Sequence, residues 1–381
     1  MGDAQRLTPD EQLVTAREAF DAGDDFTLAV EEEFAILDPD GLGLVNRFEE
    51  LFEAAKGTAI EGHLVGELIA SEVEIRTGRC DTFADAVATM GERRRQLLEL
   101  GAPLGVVLGA TGTHPWSPWQ EQRIIDTPHY RRVEEGLKYV AWRNNAFSIH
   151  VHVGIRGADR AVRVAGALRN YLPDLLALSA SSPFVEGVYT FLHSARTQTF
   201  TRMFPRCGVP DAFGGWSEYE RYVRFLYDTG SISEHTQIWW SVRPHLAFPT
   251  VEIRICDGQP DLAEAQALAG FVYAVVARIA RALDEGEPLP NHPHRLIEEN
   301  MWRAIRHGYA GDLIELATGR VRPARAAIEE LAEWAAPVAD ELGVALTVPA
   351  ENAAQRQIAR YEVGETLEAI YAREILEPVG V

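Results

Sequence analysis

Basic side chains are in short supply: 36 lysines and arginines stand against 57 aspartates and glutamates, leaving the 381-residue chain with a formal charge of −21. Binding to nucleic acid or to an anionic membrane surface draws on a clustered excess of Lys and Arg. No such run occurs, so neither partner is expected. Acidity does not exclude a phosphate ligand, because bound divalent cations reverse the local field where carboxylates gather. Cysteine is scarcer still. Cys80, Cys207 and Cys256 are odd in number and far apart, which fits neither a disulfide framework nor a Cys-rich zinc site. A reducing cytoplasm is the expected compartment, and the first residues, with Asp3, Asp10 and Glu11, lack the cationic and apolar stretches of a secretion signal. Long apolar runs are missing too. The most apolar stretch, Ala267 to Ala277, meets Arg278 and Arg281; it is too short to span a bilayer and reads as a buried helix.

The glycine-rich phosphate loops are also absent. There is no G-x-x-x-x-G-K-S/T and no G-x-G-x-x-G between a strand and a helix, and no G-x-S-x-G nucleophile elbow. If phosphate is bound, metal ions and arginine must hold it.

What is present is an ordinary folded composition, 46% hydrophobic and 24% charged. Short alternating segments mix with helical periods in the first half, and the chain after about Leu262 is helical almost to its end. This predicts an α+β fold, taken as a single catalytic domain over 1–381 with a sheet-rich first part and a helical C-terminal part. Helices are expected to start near Thr8, Arg47, Thr82, Pro128, Asp159 and Ser217, and later near Leu262, Pro293, Arg325 and Asn352. The breaker-rich stretch Asp284 to His294 reads as a loop.

Four segments alternate strictly. In FTLAVEEEF, Phe26, Leu28, Val30 and Phe34 share one strand face, and Thr27, Ala29, Glu31 and Glu33 the other. FSIHVHVG sets Phe147, Ile149, Val151 and Val153 against Ser148, His150, His152 and Gly154. TVEIRIC sets Val251, Ile253 and Ile255 against Thr250, Glu252, Arg254 and Cys256. In ASEVEIR, Val73 and Ile75 alternate with Glu72, Glu74 and Arg76. Singly, each polar face suits solvent, the commonest fate of an alternating antiparallel strand. Together they concentrate Glu and His, which bind metals, rather than Lys, Thr and Ser. Two carboxylates held together on one face repel unless a cation sits between them. A divalent site is therefore expected, and carboxylates with an imidazole suit Mg²⁺ or Mn²⁺. The pair His150 and His152 keeps a zinc-dependent amidohydrolase as the alternative.

The ordered set VEEEF, VEIRT, GTHP, HVHVG, SSPF, RP and VEIRICD, continued by ENMWRAIRHG at Glu299–Gly308, resembles the type 2 glutamate–cysteine ligase (carboxylate–amine ligase) family over about Phe26 to Arg373. The resemblance implies a glutamine-synthetase-like fold, a curved antiparallel sheet with a polar funnel face and helices packed on the other. It implies an ATP- and Mg²⁺-dependent ligase that forms an amide through an acyl phosphate, with glutamate and cysteine or another amine as small-molecule substrates. Homodimerisation stays open. By resemblance Glu31, Glu33, Glu74, His150 and Glu252 are metal ligands, and Glu67 matches less well because its parity faces it the wrong way on an unbroken strand. Glu32 falls on the apolar side, with a structural role. Arg254 matches the arginine that stabilises the transferring phosphoryl group, and Arg196 is a second catalytic candidate. Thr113, His114, Arg243 and Arg303 are candidates for holding ATP or substrate. The pair Trp239 and Trp240 is expected in the core. The segment departs from the family pattern at Tyr189, Phe191 and Ala195, beside Arg196, and Ser241 stands where an Asp is common. Those departures put the pairing of glutamate with cysteine in question.

Overall fold

A computed structural model describes residues 7–380; Asp3, used above, lies outside the described residues. Seven strands form one antiparallel sheet: β1 (Leu28–Leu37), β2 (Leu64–Val65), β3 (Glu72–Arg76), β4 (Val107–Gly109), β5 (Ile149–Gly154), β6 (Val242–Pro244) and β7 (Thr250–Ile253). Their order is β6-β7-β5-β1-β3-β2, with β4 also on β1. All four alternating segments lie in this sheet. The first begins two residues later than the alternation implies, because Phe26 turns left-handed at φ 60° and gives its carbonyl to the Tyr273 hydroxyl at 2.6 Å.

One face is apolar as expected. Leu28, Val30, Ile149, Val151, Val153, Val251 and Ile253 are buried against side chains of the helices Ala158–Leu168 and Leu262–Glu285. Each such side chain contributes roughly 1.5–3 kcal/mol on burial. The second helix is the one described element long and apolar enough to cross a membrane, but Phe271, Val272, Val275, Val276 and Ile279 on it are buried in this core. Asp261 caps its start by accepting from the Glu264 amide, and Gly286, left-handed at φ 72°, ends it, inside the loop expected there.

The parity of Glu32 places it among these apolar groups, and a partner makes that tolerable. Arg94, on the helix Phe83–Gly101, donates to Glu32 at 2.6 Å and to the carbonyls of Gln259 and Pro260 at 2.8 Å each. Removing either partner would leave a buried charge alone, a loss of about 3–5 kcal/mol.

Helix starts fall within a residue or so of those expected, with Thr8, Thr82 and Asn352 acting as side-chain caps. The stretch after Leu262 is not all helix. A hairpin pairs Asp312–Glu315 with Arg320–Pro323, packed against the helices His294–His307 and Ala324–Glu341.

Candidate active site

Register carries the polar residues of separate strands into rows on the second face. Glu31 of β1 pairs with His150 of β5 on one side and Arg76 of β3 on the other, and Glu33 pairs with Glu74. Glu252 of β7 lies between His152 and Arg243. The result is the floor of a cavity of about 450 Å³. Its walls come from loops and helices, including Glu67, Tyr130, Arg196, Phe200, Phe204 and Trp239.

Donor atoms on this floor fall into three overlapping trios, each with its atoms within 4.8 Å of one another: Glu31, Glu74 and His150; Glu31, His152 and Glu252; Glu33, Glu67 and Glu74. All five metal ligands expected from the sequence belong to these trios. So do Glu67 and His152. Glu67 escapes the parity argument because its chain is not an unbroken strand: β2 ends at Val65, and Gly66 passes so close to Phe48 and Ile125 that a Cβ there would meet them at 2.8 Å. The glycine was the available signal.

The titration behaviour follows from crowding. Burial, then the charge of Glu33, pushes the Glu67 carboxyl up to about 7. Burial and neighbouring carboxylates raise Glu72 and Glu74 well above the ordinary value. Burial also pushes Glu31 upward, but positive His152, a hydrogen bond from His150 and the nearby Arg76 outweigh it and hold Glu31 well below that value. At Glu252 the charges of Arg243, Arg254 and His152 overcome burial in the same way. Burial, aided by Arg254, lowers His150, whereas at His152 the charges of Glu31 and Glu252 outweigh burial and raise it. Carboxylates this crowded accept charge together only when cations neutralise them. The Nε2 of His152 is buried with no hydrogen-bond partner while its Nδ1 lies 3.0 Å from the Thr250 hydroxyl. A free ring nitrogen with the other one anchored is the arrangement of a metal-binding imidazole. The oxygen-rich donor set fits Mg²⁺ or Mn²⁺.

Four guanidinium groups line the same cavity, and Arg76 among them is paired with Glu74 at 2.5 Å and Glu31 at 3.2 Å. Arg254 donates through Nη1 to Glu252, and its Nε is buried without a partner. Arg243 donates to Glu252 at 2.6 Å and to the Ile238 carbonyl. Arg196 is held by the carbonyls of Ile255 and Arg254 at 3.0 and 3.1 Å, with Asp257 at 3.6 Å. Ser148 donates to Glu33 through both its amide and its hydroxyl, the latter at 2.6 Å.

Other expectations need correction. Thr113 and His114 are buried away from the cavity: the Thr113 hydroxyl donates to the Phe184 carbonyl at 2.7 Å. His114 has Nε2 2.8 Å from the Leu42 carbonyl and Nδ1 accepting from the Ser117 amide, packed on Trp116 and Tyr371. Burial lowers its pKa to about 4, so it is a neutral structural imidazole. Arg303, half-buried on the helix His294–His307, does not line the cavity either. A motif in sequence order says nothing about which of its side chains the fold turns inward. The tryptophan pair splits: Trp240 packs in the core against Tyr222 and Phe213, whereas Trp239 lines the cavity. Tyr189 and Phe191 stack on each other at 4.3 Å outside the cavity, with Phe191 58% exposed. Ala195 is buried, and Ser241 spends its amide on the Gly208 carbonyl and its carbonyl on the Arg254 amide.

With this geometry in place, comparisons with known proteins agree on one group. The model of glutamate–cysteine ligase family 2 matches residues 27–366. A Rubrobacter xylanophilus protein provisionally named glutamate–cysteine ligase 2-2 is 41% identical over 320 residues, 84% of this chain and 82% of that one. A second protein of that organism, provisionally named glutamate–cysteine ligase 2-3, is 39% identical over 356 residues, covering 93% and 95% of the two chains. Among solved structures, glutamate–cysteine ligase of Francisella tularensis in complex with AMP superposes with a TM-score of 0.63 at 12% identity, covering 93% of this chain and 89% of that one. A bifunctional glutathione synthetase from Pasteurella multocida gives 0.69 at 12% identity over 96% of this chain, which spans about half, 53%, of that longer protein. The fold is therefore α+β and glutamine-synthetase-like.

Proposed function

Because the chain belongs to glutamate–cysteine ligase family 2, and is thereby an ATP-dependent carboxylate–amine ligase, we propose that it activates a small-molecule carboxylate as an acyl phosphate and passes the acyl group to an amine, with Mg²⁺ or Mn²⁺ held by the floor carboxylates and histidines. The observation that carries this reading is the three overlapping Glu/His trios in a cavity also lined by Arg196, Arg243 and Arg254. In it, a substrate carboxylate, the γ-carboxylate of glutamate being the leading choice, attacks the γ-phosphorus of ATP, releasing ADP. The amine then displaces phosphate to give the amide. Divalent cations, when bound, neutralise charge on the phosphate oxygens.

This chain's own residues do the rest. Glu31, Glu33, Glu67, Glu74, His150, His152 and Glu252 hold the cations. Arg254, with Nε free and Nη1 fixed by Glu252, presents a rigid donor to the transferring phosphoryl group. Arg243 keeps Glu252 ionised and oriented. Arg196 is a further donor at the wall, locked by backbone carbonyls. The aromatic wall of Phe200, Phe204 and Trp239 excludes water that would hydrolyse the acyl phosphate. The hydrolase alternative finds no support in the geometry, since His150 and His152 fall in different trios. We take the chain as a single catalytic domain, with Leu13, Ala16 and Phe20 of its first helix buried in the same core as the sheet, and the free thiols of Cys80, Cys207 and Cys256 suit a reducing cytoplasm.

The test is isotope transfer. With ¹⁸O in the acid substrate's carboxylate, an acyl phosphate route delivers one labelled oxygen to the released phosphate. Unlabelled phosphate alongside labelled amide would rule the route out.

A further inference from the structure

A second cavity of about 290 Å³ is formed where the helices Leu172–Ser179, His294–His307 and Ala324–Glu341 meet the hairpin of Asp312–Glu315 and Arg320–Pro323. It shares no lining residue with the cavity on the sheet. Its volume is near the lower end of the range for small-molecule sites, about 300–1,000 Å³.

The walls are clamped by side-chain amides. Asn300 exchanges two hydrogen bonds of 2.8 Å with the backbone of Ile314, fixing the hairpin. Asn170 donates to the Pro290 carbonyl at 2.7 Å and accepts from the His292 amide at 3.0 Å, fixing the opposite rim. Trp334 is held between Tyr171, stacked at 5.8 Å and 20°, and the Arg278 guanidinium 4.6 Å from its ring centre. Such a cavity is pre-formed, which lowers the entropic cost of binding.

Two lining groups of opposite charge have unused capacity. Asp174, in the first turn of its helix, has no hydrogen-bonding or ion-pairing side chain; burial pushes its carboxyl up to about 7, only partly offset by the more distant charge of Arg322 and its own backbone amide. Arg322 is committed to Glu330 through Nη1, but its Nε is buried without a partner. Glu315, on that hairpin and also lining the cavity, is already paired with Arg320 at 3.0 Å. The same cavity is lined by the apolar side chains of Leu313, Leu316 and Trp334. An unpaired carboxyl group, an unpaired N–H and an apolar wall in one cavity match an ammonium, a carboxylate and a hydrocarbon side chain on one small molecule.

We propose that this second cavity binds a free α-amino acid with an apolar side chain, its ammonium on Asp174, its carboxylate on the Nε of Arg322, and its side chain against Leu316 and Trp334. The site shares no lining residue with the ligase cavity, so this ligand is distinct from the substrates bound there.

Calorimetric titration of the whole protein with L-leucine tests this, with isoamylamine and 4-methylpentanoate as probes lacking one charge each. Wild type and Glu31→Gln are expected to bind leucine saturably with equal affinity, and each half-probe at least tenfold more weakly. Asp174→Asn should weaken leucine at least tenfold while melting no lower than wild type, because it removes an unneutralised carboxylate. Ala317→Trp, an exposed rim substitution, should block entry and also weaken binding at least tenfold. Absence of saturable binding, half-probes that bind as well as leucine, or binding lost in Glu31→Gln but kept in Asp174→Asn would each overturn the proposal.

Discussion

The Nε2 of His152 lies 3.5 Å from a carboxylate oxygen of Glu31 and makes no hydrogen bond. It belongs to one of the trios that could hold a cation, with Glu31 and Glu252. His152→Ala is expected to weaken Mn²⁺ binding by at least ~10-fold and to remove one bound ion. The ring gives up its hydrogen bond with Thr250, worth about 1 kcal/mol, and its charge interactions with Glu31 and Glu252, so circular dichroism accompanies the titration to check that the fold is intact. Mn²⁺ titration followed by electron paramagnetic resonance reads both stoichiometry and affinity. Unchanged values would take His152 out of the site.

Arg254→Lys keeps a positive charge over the floor but cannot both hold Glu252 and present a second fixed donor. The expected result is a kcat reduced by about 10²-fold or more with little change in the KM for ATP. A rise confined to KM would make Arg254 a ground-state binding residue.

Crowded acids give the metal-free protein a characteristic pH dependence. Glu67 titrates at about 7, and Glu72 and Glu74 are also raised, against an ordinary 4.5. An acid raised on folding favours the folded state below its unfolded pKa, and that advantage is lost as pH rises through the folded value. The melting temperature without metal should therefore fall between about pH 4.5 and 7. Mg²⁺ or Mn²⁺ should restore it, more at pH 8 than at pH 6, with proton release on binding. The lowered Glu31 and Glu252 work in the other direction, their contribution being lost on acidification below 4.5. A metal-induced rise that is the same at both pH values would contradict the assignment.

The positions turned away from the cavity supply a negative control. Arg303→Ala and Phe191→Ala should leave the KM for ATP and the acceptor preference unaltered. His114→Phe should lower the melting temperature without changing either, since it breaks three contacts to backbone. Trp239→Ala should raise a substrate KM. Altered acceptor preference in Phe191→Ala would bring the departure at that residue back into the specificity account.

Period-two alternation made the floor legible in the sequence, because a strand with one buried face must put every second residue on the other. Parity alone separates Glu31 and Glu33 from Glu32, and the structure gives Glu32 its own buried cation in Arg94. Alternation could not supply what depends on a break in the strand, as at Glu67, or on which strands become neighbours, as in the placing of His152 opposite Glu252. The arginines of the walls were harder. Arg196 and Arg243 line the cavity and Arg303 does not, a difference set by helix orientation and loop closure rather than by any local pattern. The hairpin after Leu262 was hidden because its short strands are flanked by helices of strong periodicity.

The most direct test of the central claim is ADP release with Mg²⁺ across a panel of acids and amines, run with wild type and Glu252→Gln. The account predicts that ADP, phosphate and a new amide form in equal amounts for at least one acid–amine pair, dependent on the cation, and that Glu252→Gln abolishes all three together. Amide formation without ADP release, or full ADP release by Glu252→Gln, would contradict it.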